Sequence, residues 1–482
     1  MLLRAGLYVF VFLFCVVLLA KVRSRRARQS ILLVASYALY ISWGAWFAAI
    51  LLASTIMNFA MGEWLRRRLS GTVLGLGILL NLALLGSFKY LPELALTLPF
   101  SSLHRFAHLA LQLGISFWTF QAMSYLFDLY RGEELDPSFF EFALYMAFFP
   151  VAVSGPICRM PDMLPQFRSE TKTPWSGIGA GLRRIATGVL MMQLAKLLGQ
   201  GILAGDGISS GFDRLTQWTG TDVWCLAFGY GLQLFLDFGG YSHIAIGAAQ
   251  ALGFTVPENF ARPFGSITPS IFWTRWHMSL SFWIRDYVFL PLAMLRREML
   301  WRNFVLVISM VLFGLWHKAS VLFVLWGCYH GVLLVLHRQV DHIQRRFDWT
   351  PPPRLWTSLG WLVTMALVNL GWIFFRANSL VQAKQMLLAV LSPASYGSHL
   401  VSGSLYGLVI GLAAGYGVVL LAIDALDRHS AEPVASNTGV IGLLARSRWY
   451  WLPPLYALAL LFVSIVTFTR GPSTAQFMYR RF

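Results

Sequence analysis

Apolar segments about as long as a membrane is thick recur along most of the chain, separated by short polar stretches. A helix that crosses a bilayer needs about 20 apolar residues. The runs that reach or approach this length are 5–20, 31–62, 72–98, 106–129, 139–157, 178–204, 221–253, 304–338, 356–376, 403–425 and 449–469. This pattern predicts an all-α integral membrane protein with roughly 11–13 transmembrane or re-entrant helices.

Two of these runs are too long for one straight crossing. The run 31–62 is interrupted at Ser42-Trp43-Gly44, which predicts a hairpin of two helices. The run 304–338 is expected to bend near His317. The main polar stretches between the runs are 157–177, 205–220, 339–354 and 426–447. None is long enough for a separate soluble domain, so we expect a single polytopic membrane domain covering residues 1–482.

Composition and charge support a membrane as the solvent. Hydrophobic residues make up 57% of the chain and charged residues 12%, whereas soluble domains are about 45–50% apolar and about 25% charged. The net charge of +17 is spread over short basic clusters between apolar runs, such as 21–28 and 66–68. Such clusters are typical of cytoplasmic loops beside anionic lipid headgroups, so we expect contact with membrane lipid and no nucleic-acid binding.

The first apolar run is followed, not preceded, by its basic cluster. A cleaved signal peptide carries its positive charge before the apolar stretch, whereas here residues 21–28 come after residues 5–20. The order predicts a retained first helix with the N-terminus on the extracytoplasmic side.

The segment 255–300 breaks the apolar pattern, because it mixes tryptophans with charged residues. It is too polar to face lipid and too aromatic to face bulk water. Trp276 and Trp283 are seven residues apart, which predicts that they share one helical face. We expect a helix at the membrane interface or one that dips into the protein interior.

Three histidines lie in strongly apolar or aromatic surroundings, namely His277, His317 and His330. Ionisable groups at membrane depth are costly and are therefore functional candidates. Burial and the adjacent Lys318 both favour the neutral imidazole that a general base needs at His317. On an unbroken helix His330 would lie about 220° away from His317, which predicts a packing role for His330.

Common motifs of metal-dependent and nucleotide-binding proteins do not occur in the sequence. It has no HExxH and no G-x-x-x-x-G-K-[ST] motif, and its four cysteines form no CxxC pair. No metal site is therefore expected. Asp128 and Asp237 are the best candidates for the membrane carboxylates that coupled transport needs, so a transporter or flippase remains an alternative.

Several motifs resemble, in their order along the chain, those of the membrane-bound O-acyltransferase (MBOAT) family, and in particular its bacterial polysaccharide-acetylation branch. The motifs are 114–125, Phe148-Phe149-Pro150 with Ser154-Gly155-Pro156-Ile157, 237–247, Pro257-Glu258-Asn259-Phe260 with 273–287, 314–317 with 326–331, 371–377 and 477–479. Three positions depart from the pattern. Lys318 replaces a glycine, His243 replaces a carboxylate, and 288–292 lacks a Gly-Gly turn and is nearer the related D-alanyl transfer proteins.

The resemblance implies an MBOAT-like helix bundle around a central tunnel, with a core at roughly residues 110–380. It implies that His317 is the essential catalytic residue and that His277 is a second catalytic residue near it. It also makes Trp276 and Arg275 candidates for orienting the donor or stabilising charge. Three further residues are substrate-binding candidates: Asn259, Asp286 and Lys318. Asn259 and Asp286 could equally support the fold, and Lys318 could simply reach the membrane surface.

The implied reaction takes an acyl group, preferably acetyl, from a cytoplasmic thioester to a hydroxyl of an exported polysaccharide. The donor would be acetyl-CoA or an acyl carrier protein, used as a substrate, with no permanently bound cofactor. An extracytoplasmic acetyltransferase is the expected partner, and the bacterial cytoplasmic membrane the expected location. D-alanyl transfer to a cell-envelope polymer and a scaffold that only docks an exported acyltransferase remain alternatives.

Overall fold

The computed structural model describes residues 2–92, 114–170, 173–202, 205–348 and 352–431, together with 458, 459 and 461. Its helices are α1 Leu2–Lys21, α2 Arg25–Trp43, α3 Ala45–Arg67, α4 Gly71–Lys89, α5 Ile115–Tyr130, α6 Phe139–Ala147, α7 Met160–Arg168, α8 Trp175–Gln200, α9 Ile208–Asp213, α10 Gly220–Ala251, α11 Pro269–Trp273, α12 Met278–Ile284, α13 Leu290–Ala293, α14 Met299–His317, α15 Val321–Arg346, α16 Pro353–Arg376, α17 Leu380–Leu391 and α18 Gly403–Ala431. No strand occurs in these ranges, and the all-α class is confirmed.

Six of the described helices are long and apolar enough to cross a membrane, namely α3, α4, α14, α15, α16 and α18. The protein is therefore a multi-pass membrane protein. Polar residues inside α8 and α10, such as Arg183 and Asp237, keep these two long helices out of that group. Most of the predicted run 449–469, part of 72–98 and of 106–129, and the motif 477–479 lie outside the described residues.

The chain divides into two compact units, each built from three stretches of sequence. The first unit comprises Met1–Ile185, Ser242–Pro263 and Trp273–Ser309, and the second comprises Ala186–Tyr241, Phe264–Phe272 and Met310–Phe482. His277 thus belongs to the first unit and His317 to the second. The single domain expected over 1–482 stays a prediction.

The predicted hairpin in residues 31–62 is confirmed in the first unit. Gly44 separates α2 from α3 with φ +150°, a conformation that favours glycine. Helix α3 continues into a polar contact with α4, where Asn58 and Asn81 exchange side-chain hydrogen bonds of 3.2 and 2.7 Å. Both amides are fully buried, so the pair satisfies polar groups that lipid could not.

The two ends of the segment 139–168 lie next to each other in the first unit, and we call this segment the re-entrant segment. Ser138 and Glu141 form a capping box that starts α6. Arg168, at the end of α7, then returns to Glu141 with nitrogen–oxygen distances of 3.0 and 3.1 Å. The run 139–157 does not form one continuous helix, because the chain turns after Ala147 and comes back; it is one of the re-entrant elements that the sequence allowed.

Three hydrogen bonds join helix α2 to this segment. Near the start of α2 the Gln29 side chain donates to the carbonyl of Phe167, whereas near its end the Tyr40 hydroxyl donates to the carbonyl of Ala152. Between these points the amide of Phe149 donates to the Ser36 hydroxyl. The 11 helical residues from 29 to 40 correspond to about 16 Å, so the re-entrant segment follows α2 over about this length.

The Glu141–Arg168 pair predicts an acid-sensitive fold. Burial raises the pKa of Glu141, but hydrogen bonds from Arg168 and Ser138 outweigh it and bring the pKa to about 2. A depressed carboxyl pKa stabilises the fold above the unfolded-state value of 4.5, and this contribution is lost as the pH falls towards 2. We expect Glu141→Gln to cost about 1–2 kcal/mol at pH 7, since water screens the partly exposed Arg168.

Thermal unfolding of purified wild type and Glu141→Gln between pH 7 and pH 3 tests this prediction. The difference in Tm should be largest at pH 7 and shrink below pH 4. Glu134→Gln, which alters an exposed carboxylate with no ion pair among the described residues, is the matched control. An equal Tm difference at every pH would contradict the assignment.

The second unit is fixed at one end by Asp222, near the start of α10. Its carboxylate accepts hydrogen bonds from the amides of Leu400 and Val401 and from the hydroxyls of Thr219 and Tyr406. The side chain is fully buried. These bonds attach the segment before α18 to α10 and satisfy the carboxylate inside the protein.

In the segment 255–300, short helical turns alternate with irregular backbone up to His277, and the chain is continuously helical from Met278 to Ala293. Trp273 ends α11, and Trp276 pairs with Phe260 in an isolated antiparallel bridge. Helix α12 begins only at Met278. The predicted common helical face of Trp276 and Trp283 is therefore wrong, because the two residues do not lie on one helix.

Candidate active site

His277 caps α12 in the first unit with a left-handed backbone, φ +44° and ψ +50°. Such a conformation is uncommon for residues other than glycine and costs roughly 1 kcal/mol. It places the carbonyl of His277 where it accepts from the amides of Leu280 and Ser281, at 3.1 and 2.9 Å. The strained backbone conformation of His277 thus positions the carbonyl that accepts the first hydrogen bonds of α12.

Asn259 holds this turn in place. Its carbonyl accepts from the amide of Met278 at 2.9 Å, so it bonds the residue directly after His277. Its side chain accepts from the hydroxyl of Ser279 at 2.6 Å and donates to that of Ser242 at 3.0 Å. Ser279 in turn accepts from the amide of Ile157 in the re-entrant segment. Asn259 therefore connects the histidine turn to α10 and to the re-entrant segment.

We expect Asn259→Ala to destabilise the first unit by about 2–4 kcal/mol, because buried partners lose their hydrogen bonds. The protein level in the membrane and the Tm should both fall. Asn378→Ala, which alters an exposed amide that bonds Asp213 in the second unit, is the comparison. A Tm equal to that of wild type would contradict the structural role of Asn259.

His277 is almost completely enclosed, with 1% of its surface exposed. Burial lowers its pKa to about 3, because an apolar environment disfavours the charged imidazolium. At physiological pH the ring is therefore neutral. A neutral imidazole can accept a proton or donate a hydrogen bond.

Three other residues that the sequence suggested for substrate binding, Trp276, Arg275 and Asp286, lie near this turn in the first unit. Trp276 is buried and packs edge-on against Phe260 at 5.1 Å, while Arg275 is half-buried and accepts from Ala261 through its carbonyl. Asp286 bonds to Arg285 and Arg159 at 2.6 and 2.7 Å. Burial raises the pKa of Asp286, but these two arginines hold it below its usual value. Substrate binding by these residues stays a prediction.

His317 ends α14 in the second unit and is enclosed by aromatic rings. Its imidazole is 5% exposed. Five rings lie around it, with centroid distances of 5.4 Å to Phe313, 4.7 Å to Trp316, 6.1 Å to Phe323, 5.8 Å to Trp326 and 5.0 Å to Phe375. Ionisable groups in such apolar surroundings are candidates for a functional role, and catalysis by His317 stays a prediction here.

The bend that the sequence predicts near His317 is confirmed. Helix α14 ends at His317, and Ser320 precedes α15. A Cβ on Gly314 would lie 2.2 Å from the carbonyl oxygen of Phe323, so only glycine allows the two helices to approach so closely. Lys318 lies in the exposed connection, and its proposed contact with donor phosphates stays a prediction.

The predicted separation of about 220° between His330 and His317 is wrong. It required one unbroken helix, but the break at Lys318–Ser320 starts a new helix at Val321. His330 is fully buried and lies 5.0 Å from the Trp326 ring, which also contacts His317. A Cβ on Gly371 would lie 2.5 Å from Nε2 of His330.

Within the described ranges no three potential metal ligands among His, Cys, Asp and Glu come together. Comparison with known proteins adds the chemical context. A family model described as membrane-bound O-acyltransferase matches residues 96–380. This range is more than half of the chain and includes both His277 and His317.

Curated relatives match over most of the chain. A probable alginate O-acetylase of Pseudomonas aeruginosa is 33% identical over 450 residues, 89% of this chain and 82% of that protein. A peptidoglycan O-acetyltransferase of Helicobacter pylori is 31% identical over 394 residues, 74% and 72% of the two chains. A teichoic acid D-alanyltransferase of Bacillus subtilis is 28% identical over 286 residues, 55% and 69% of the two chains.

Proposed function

The chain belongs to the membrane-bound O-acyltransferase family and is an O-acyltransferase, and we propose that it transfers an acetyl group from a cytoplasmic thioester to a hydroxyl of an exported polysaccharide. The observation that carries the proposal is His317, an ionisable side chain enclosed by five aromatic rings at the end of an apolar helix. O-acyl transfer needs one such base in water-poor surroundings.

His317 acts as the general base in this proposal. Its neutral imidazole takes the proton of the acceptor hydroxyl while the oxygen attacks the thioester carbonyl carbon. The carbon–sulfur bond then breaks, and the imidazolium returns the proton to the leaving thiolate. The products are an ester and a free thiol. His277 contributes by donating a hydrogen bond to the thioester carbonyl, where negative charge develops.

Acetyl is favoured over D-alanyl by the relatives. The matches to O-acetylating proteins cover 89% and 74% of this chain, against 55% for the D-alanyltransferase of B. subtilis. The segment 288–292, which lacks a Gly-Gly turn, supports the D-alanyl alternative. The acceptor is proposed as a cell-envelope or exported glycan, because these relatives are named for alginate, peptidoglycan and teichoic acid.

The basic surface supports a location in the cytoplasmic membrane with the N-terminus outside. Arg25 and Arg168 share Glu141, so the basic cluster after α1 and the ends of the re-entrant segment lie on one face of the first unit. A cytoplasmic position for this face follows the excess of positive charge in cytoplasmic loops. An extracytoplasmic acetyltransferase as partner is part of the proposal.

Purified protein tests the function directly. It is incubated with thioesters labelled in the acetyl or the D-alanyl group and with glycan oligosaccharides, and free thiol and labelled ester are measured. We expect thiol release and ester formation with the acetyl donor in preference to the D-alanyl donor. Preference for D-alanyl would replace the acetyl assignment, and absence of thiol release with both would favour a transporter or a docking scaffold.

A further inference from the structure

Three guanidinium groups converge on one short segment of the first unit. Arg159 and Arg285 each bond one oxygen of the Asp286 carboxylate, at 2.7 and 2.6 Å. Arg131 donates to the main-chain carbonyl of Asp286 at 2.5 Å. The guanidiniums of Arg131 and Arg159 also lie 5.0 and 5.1 Å from the centre of the Tyr287 ring. We call Arg131, Arg159 and Arg285 the arginine cluster.

The arginine cluster packs against buried aromatic residues. Tyr287 is 4% exposed, and its hydroxyl donates to buried Asp128 at 2.8 Å. Trp283 packs against Tyr287 at 5.2 Å and donates to the carbonyl of Phe120. Residues Arg285–Phe289 form a π-helical turn, a backbone irregularity that is frequent at functional sites. Such a frame fixes the direction of the guanidiniums.

The arginine cluster has more N–H donors than its hydrogen bonds to Asp286 use. Each guanidinium carries five N–H groups, and one nitrogen of each takes part in the bonds to Asp286. The side chains of Arg159 and Arg285 are 28% and 54% exposed, and Arg131 is exposed. The unused donors are therefore accessible to an anion from outside the protein.

We propose that the arginine cluster binds the phosphate of a pantetheine-type thioester donor. Planar guanidinium groups bind phosphate oxygens through paired, charge-assisted hydrogen bonds. The proposal rests on the proposed function and identifies where its donor is held. Acetyl-CoA and an acyl carrier protein both carry this phosphate at the end of the pantetheine arm, so the cluster suits either donor.

The position of the cluster within the first unit fits this ligand. Arg159 lies next to α7, whose other end carries Arg168 on the basic face proposed to be cytoplasmic. Arg285 directly follows α12, which His277 caps. The eight residues from 277 to 285 correspond to about 12 Å along the helix. An extended pantetheine arm held by its phosphate at Arg285 is long enough to bring the thioester towards His277.

Binding of two probes that differ only in the phosphate tests the proposal. Protein in phosphatidylcholine nanodiscs is titrated with 4′-phosphopantetheine and with pantetheine. We expect wild type to prefer the phosphorylated probe by about tenfold or more, as loss of charge-assisted hydrogen bonds implies. Arg131→Gln and Arg285→Gln should each bring the two Kd values within about threefold. Both side chains are exposed, so these variants should fold.

The control is Arg296→Gln, which removes an exposed arginine that stacks on Trp301 outside the cluster. It should keep the preference for the phosphorylated probe. Equal Kd values for both probes in wild type, or an unaltered preference in both cluster variants, would overturn the proposal. So would loss of the wild-type preference when phosphatidylglycerol replaces part of the lipid, since the cluster would then bind a lipid headgroup. Failure of the proposed function is distinct, because it would leave this binding intact and remove only thiol release.

Discussion

His317→Ala is expected to abolish acetylation of the exported glycan while the protein remains in the membrane at the wild-type level. A positioned general base contributes about 10² to 10⁴ to the rate, so the residual activity should be below about 1% of wild type. The imidazole is enclosed by Phe313, Trp316 and Phe375, with two further rings. Water is therefore poorly placed to replace it as the base.

His330→Gln is the matched control, because His330 is equally buried and contacts the same Trp326 ring. It should lower the Tm through altered packing against Gly371 and retain most of the acetylation. The measurements are ester content of the glycan, protein level by immunoblot and thiol release by purified protein. Undiminished acetylation in His317→Ala would exclude the base role, and complete loss in His330→Gln would move the chemistry to His330.

Features set by local sequence were predictable, whereas those set by long-range contacts were not. The helix ends at Gly44 and at His317 follow from a polar or flexible interruption in an apolar run, and both are confirmed. The segment 139–157 is as apolar as a crossing helix. It turns back because Ser36 and Tyr40, more than 100 residues earlier, bond its backbone inside the protein.

The histidine turn illustrates the same limit within the candidate site. The aromatic and charged composition of 273–287 marks the segment as unusual, but nothing local specifies a left-handed His277. That conformation depends on Asn259, whose carbonyl bonds Met278 from 19 residues away. Similarly, the orientation of His330 depends on a helix break that shifts its angle relative to His317. Composition thus located the candidate residues, and tertiary hydrogen bonds and packing decided their geometry.

Substitution of His277 separates its backbone role from its imidazole. His277→Gly removes the ring but accepts φ +44° without strain, whereas His277→Ala removes the ring and keeps the strain. We expect the glycine variant to be at least as stable as the alanine variant, with a difference of up to roughly 1 kcal/mol. Both should lose acetylation by about a hundredfold to a thousandfold, as expected when a hydrogen bond to the developing oxyanion is removed.

The pH dependence adds a second, independent readout. With a pKa of about 3, His277 stays neutral between pH 5 and pH 9, so it contributes no titration in that range. The acid side of the rate profile should therefore have the same midpoint in wild type and in His277→Asn, a residue that tolerates the left-handed backbone. The rate itself should fall at every pH. A shifted midpoint would mean that His277 itself titrates in the working enzyme, and full activity in His277→Gly would reduce its role to that of a turn residue.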